Sequence, residues 1–169
     1  MTNGSWIGLL VRQSRTKAPI GWDELVVGHD FGILTPREIQ DWVLEQDLQG
    51  PCCLELVALE GEGLGHFEEH LWSACAECTG KVPRPGGNRW AKAQDRWRVA
   101  LLRDALEAPL SPEALAIVVE SIYERVGCPE DMLGLWQRHS PWQQRQGSAD
   151  RSAIARFLRR CEDEFVMAV

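Results

Sequence analysis

Basic residues are nearly missing from the middle of the chain: between positions 21 and 70 Arg37 is the only Lys or Arg, against twelve Asp and Glu. Phosphate contacts need clustered Lys or Arg, so this stretch is excluded as a nucleic-acid surface. Long apolar runs are missing too. The amino-terminal run Trp6 to Val11 is far too short to cross a bilayer, and it precedes the basic residues Arg12, Arg15 and Lys17, the reverse of a secretory signal. No membrane association is expected, and the expected location is the cytoplasm. Tyrosine occurs once, whereas tryptophan occurs eight times, mostly at helical spacing among other apolar residues, which marks it as packing rather than a ligand platform. The six cysteines (52, 53, 75, 78, 128 and 161) lack any repeated spacing, which excludes a stapled scaffold and predicts reduced thiols. Also absent are a phosphate-cradling G-x-x-x-x-G-K, a dinucleotide fingerprint and a G-x-S-x-G elbow. No cofactor is expected.

What is present is helical punctuation. Apolar residues recur at three- and four-residue steps between Gly and Pro breaks, and no stretch alternates strictly long enough to be a strand. The fold class predicted is all-α, with about seven to nine helices in an antiparallel bundle or a short helical array. A length of 169 residues suits one domain: an amino-terminal segment over 1–18 that can be helical, then a single helical domain over 19–169. Thr35 as N-cap, Pro36 in the first turn and Glu38 three residues beyond the cap predict a helix over 36–48, stopped by Gly50-Pro51. Residues 52–60 read as a short helix, with a buried strand as the alternative. Further helices are expected over 66–78, 89–107, 112–126, 129–138 and 149–167, with a loop over 81–88 and polar chain near residue 145. His29 and His139 read as ordinary cap or surface residues.

Two patterns suggest chemistry. His66-Phe67-Glu68-Glu69-His70 matches H-x-x-E-H, in which two histidines one helical turn apart bind zinc and the intervening Glu activates water. It resembles the surroundings of that motif in pitrilysin-type peptidases, which would make His66 and His70 ligands and Glu69 the general base. The resemblance also implies a third ligand, a Glu far downstream, and residues 145–150 contain none. Cys75 and Cys78 form a C-x-x-C spacing without a thioredoxin-like setting. On one continuous helix His66 and Cys78 would lie about 18 Å apart, so the four residues cannot share one ion.

A succession of short segments carries a stronger likeness. Ile20-Gly21-Trp22-Asp23-Glu24-Leu25, Gly32-Ile33-Leu34-Thr35-Pro36 through Asp41-Trp42, Leu54 to Leu59, Ile122-Tyr123-Glu124 and Cys128 to Met132 resemble, in order and spacing, the bacterial family known as domain of unknown function 2247. The likeness spans about residues 19–145. The family it resembles carries no established enzymatic activity, and the resemblance implies an immunity protein accompanying a polymorphic toxin. The acidic stretch agrees with that implication, because an inhibitor of a basic toxin such as a nuclease gains rate and specificity from opposite charge. The expectation is therefore a non-enzymatic protein-binding domain that neutralises a cognate toxin through Glu38, Asp41, Glu45, Asp47, Glu60 and Glu62. The alternatives are a zinc-dependent hydrolase centred on His66, Glu69 and His70, and a scaffold or adaptor for another protein.

Overall fold

A computed structural model describes residues 6–13, 19–139 and 151–167, with side chains described except at 138–139 and 162–167. Among the described residues all regular structure is helical. The chain is all-α, as its periodicity predicts. The α-helices are α1 (Trp6–Gln13), α2 (Trp22–Asp30), α3 (Pro36–Glu45), α4 (Pro51–Val57), α5 (Phe67–Thr79), α6 (Asn88–Glu107), α7 (Pro112–Arg125), α8 (Leu133–His139) and α9 (Arg151–Met167). Two 3-10 turns, Gly61–His66 and Glu130–Met132, lead into α5 and α8. The polar stretch near residue 145 and the side chain of His139 lie outside the described residues.

Side-chain caps start α3 and α7. The Thr35 hydroxyl accepts the Glu38 N–H at 3.3 Å, and the Glu38 carboxylate accepts the Thr35 N–H at 3.0 Å. This reciprocal pairing satisfies two of the donors that a helix start leaves open. At its other end α3 stops three residues before the expected 48, because Asp47 adopts a left-handed φ of 51° that an α-helix cannot continue through. Residues 51–57 form a helix rather than a strand, started by Pro51 in the first turn. Helix α5 ends at Gly80, whose N–H makes the last helical bond, to the Ala76 carbonyl at 2.8 Å, and whose φ of 76°, a value that suits glycine, then turns the chain off the helix.

The chain divides into two compact units. The first comprises residues 1–8 and 18–94. Leu25, Val27, Ile39, Leu56, Phe67 and Leu71 are buried in its interior. The start of α4 lies against the end of α5, where the Glu77 carboxylate accepts the Cys52 N–H at 3.1 Å, so the two helices run antiparallel. Gln40 of α3 is buried, and its amide donates to the carbonyls of Leu56 at 3.0 Å and Leu59 at 2.9 Å. Leu56 and Leu59 lie in and just beyond the last turn of α4, where the Leu59 N–H also approaches the Leu56 carbonyl, at 3.5 Å. Replacing Gln40 with Leu removes both of these hydrogen bonds from a buried position, and is expected to cost about 1–3 kcal/mol in denaturant unfolding with an unchanged m-value. A further tie joins Asp23, in the first turn of α2, to Arg89, whose Nε donates at 2.8 Å. That hydrogen bond is the leading reason the guanidinium pKa is raised.

The second unit comprises residues 9–17 and 95–169. Its core contains Trp97, Leu102, Leu115, Val119, Ile154 and Phe157. Arg151 donates to carbonyls at and beyond the end of α6, those of Leu106 and, both at 3.0 Å, Ala108 and Leu110. Tyr123 stacks on Trp136 with ring centres 5.2 Å apart. The tryptophans behave mainly as packing residues: Trp22, Trp90 and Trp97 are buried, while Trp72 is 44% exposed.

Candidate functional site

The acidic residues singled out by sequence all lie in the first unit, and they do not share one situation. Glu38 is committed to the α3 cap, and its second oxygen accepts the Trp6 N–H at 3.0 Å. Its carboxylate is occupied by the fold. Asp41 sits 3.0 Å from the Arg37 guanidinium one turn earlier, an exposed pair worth a few tenths of a kcal/mol. Asp47 accepts from the Gln49 amide at 2.7 Å. Glu45, Glu60 and Glu62 are exposed, and none has an ion pair among the described residues.

Helix α3 explains how part of this surface forms. Ile39, Gln40 and Val43 turn inward, so Arg37, Asp41, Leu44 and Glu45, at positions zero, four, seven and eight of one stripe, face outward. Leu44 is 57% exposed beside Glu45. Large apolar side chains are also exposed on the elements that follow: Leu54 on α4, Leu64 on the first 3-10 turn and Trp72 on α5. A local sequence reading catches the acidic count but misses these apolar residues, because each occupies a position that helical spacing would equally allow to be buried.

The two-histidine motif is not laid along one α-helix. His66 ends the 3-10 turn and stands at the N-cap of α5 with φ −109° and ψ 13°, so only Phe67 onward is α-helical. This corrects the placement of the whole motif on a single helix. His66 Nδ1 lies 3.7 Å from the Glu69 carboxylate, and His70 Nδ1 lies 3.7 Å from Glu55 of α4. The intended general base thus faces one histidine and a different carboxylate faces the other. Among the described residues no three His, Cys, Asp or Glu side chains are arranged to hold a metal ion. His29 lies in the last turn of α2, half-buried, where its carbonyl accepts the Gly32 N–H at 2.9 Å and its ring meets Phe67 edge-on with centres 5.1 Å apart.

The C-x-x-C spacing also resolves differently from its sequence pattern. Cys75 is buried, and its thiol turns to the Lys81 carbonyl at 3.6 Å. Burial is the main reason that thiol's pKa is raised. Cys78 instead meets Cys53 of α4, sulfur to sulfur at 3.6 Å. Burial first, and then the Cys78 neighbour, push the Cys53 thiol up to about 12.

The described residues make an all-α chain whose first unit is rich in acidic residues. The chain belongs to the family described as an uncharacterized protein conserved in bacteria, domain of unknown function 2247, whose model matches residues 13–163. That match extends the sequence likeness at both ends. No curated protein and no solved structure matches the chain. Among the described residues no helix is long and apolar enough to cross a membrane.

Proposed function

We propose that the chain is a non-enzymatic protein-binding domain, an immunity protein that neutralises a basic bacterial toxin, such as a nuclease, in the cytoplasm. The observation that carries this reading is the set of exposed, unpaired carboxylates Glu45, Glu60 and Glu62 on a stretch that holds one basic residue. Unpaired surface charge of one sign contributes little to folding, whereas it speeds encounter with a partner of opposite sign. Exposed Leu44, Leu64 and Trp72 supply what charge alone lacks, since apolar and aromatic side chains carry much of the affinity at the centre of an interface.

The test is co-expression with the product of the adjacent gene. A stable complex and rescue of the host from that product's toxicity are expected. Neither complex nor rescue would overturn the immunity reading, and a complex with a non-toxic product would make the chain an adaptor. Zinc analysis of the purified chain tests the hydrolase reading: stoichiometric metal lost in His66→Ala and His70→Ala would support it over protein binding.

A further inference from the structure

We propose that Cys53 and Cys78 form a thiol–disulfide exchange site that takes a low-molecular-weight disulfide as its oxidant and closes a covalent link between α4 and α5. The two sulfurs already touch at 3.6 Å across the antiparallel helices. A bond requires them to approach to about 2 Å, a closure of about 1.6 Å. The pairing is selective within the local cysteine group. Cys75, three residues from Cys78, is buried with its sulfur directed to the Lys81 carbonyl. Cys52 and Cys53 are neighbours within one helix, where side chains at consecutive positions point about 100° apart.

Exposure assigns the order of events. Cys78 is exposed and Cys53 is buried. The Cys78 thiolate attacks one sulfur of the small disulfide, whose S–S bond breaks and releases one thiolate. Cys53 then gives up its proton and attacks the Cys78 sulfur. The mixed disulfide breaks, and the second small thiolate leaves and takes up a proton. Two protein thiols are oxidised, and one small disulfide is reduced to two thiols. Burial holds the Cys53 proton tightly, which makes the second step the slow one.

The experiment incubates the folded full chain with glutathione disulfide, quenches with an alkylating reagent and maps the bonds by mass spectrometry. The wild type is expected to accumulate a Cys53–Cys78 bridge, preceded by a glutathione adduct on Cys78. Cys53→Ala should stop at that adduct, Cys78→Ser should carry neither bridge nor adduct on Cys53, and Cys75→Ser should bridge like the wild type. A Cys75–Cys78 bridge, or a wild type that ends as a glutathione adduct without the internal bond, would overturn the assignment. The Cys78→Ser arm keeps the result interpretable if the buried Cys53→Ala variant fails to fold, because an exposed position tolerates the change.

Discussion

Replacing Trp97 with alanine is expected to lower stability by about 3–5 kcal/mol, the largest effect of any single substitution considered for this chain. Trp97 is fully buried on α6, with 0% of its surface exposed. Truncation removes the indole's transfer free energy and leaves a cavity that the surrounding helices close only in part. Ala93 and Ala100, at the preceding and following turns of the same face, are also buried and too small to fill the space. Denaturant unfolding followed by circular dichroism checks the magnitude. Trp97→Phe should recover more than half of the loss. A loss below 1 kcal/mol for alanine would mean that the second unit is not packed around this residue.

The adjacent residue makes the second large prediction, and it concerns charge. Arg98 is 5% exposed, donates to both oxygens of Asp131 at 2.5 and 2.6 Å, and lies 2.9 Å from Asp95. Its guanidinium also sits over the Phe157 ring, 5.4 Å from the centroid. Burial works against the cation and the ion pairs offset that cost, so that its pKa is raised on balance. The members of the cluster are therefore unequal: Arg98 is buried, whereas Asp131 is half exposed and Asp95 a third exposed. Converting both aspartates to asparagine strands a buried cation and is expected to cost about 3–5 kcal/mol. Converting Arg98 to Met leaves two carboxylates that water can solvate, and it removes an Nε that has no hydrogen-bond partner. It should cost clearly less than the double aspartate change. The reverse order in unfolding experiments would show that guanidinium packing, rather than charge compensation, sets the energetics there.

The residues that sequence reading placed well are those governed by local rules. Thr35, Pro36 and Glu38 announce the start of α3, and α7 begins at the expected residue 112, where the Ser111 hydroxyl accepts the Ala114 N–H at 3.2 Å. Capping involves residues three apart, so it is legible in a short window. What was not legible depends on partners far along the chain. Glu38 has a second use, toward Trp6, that no local pattern contains. Gln40 looks like a surface amide until the end of α4 supplies carbonyls for it. Cys78 shares a familiar spacing with Cys75, yet its sulfur partner lies 25 residues away on another helix.

The H-x-x-E-H pattern shows a different limit. Its spacing acquires meaning only if one α-helix carries both histidines, and Gly61, Gly63 and Gly65 precede it in a segment that winds as a 3-10 turn up to His66. Poor helix propensity in those glycines is a signal available in the sequence, and it opposes the motif. The acidic stretch, by contrast, was legible as composition but not as a surface. Structure separates Glu38, held in a cap, and Asp41, paired with Arg37, from Glu45, Glu60 and Glu62, which are exposed and unpaired among the described residues.

That separation makes the central claim measurable through association kinetics. The rate at which the purified chain binds the adjacent gene's product should fall steeply as salt rises, because encounter is steered by charge. The triple variant Glu45→Lys, Glu60→Lys, Glu62→Lys is expected to associate about 10- to 100-fold more slowly at low ionic strength and to lose most of its salt dependence. Equal rates for wild type and variant, with the same dependence on salt, would contradict an acidic docking surface in the first unit.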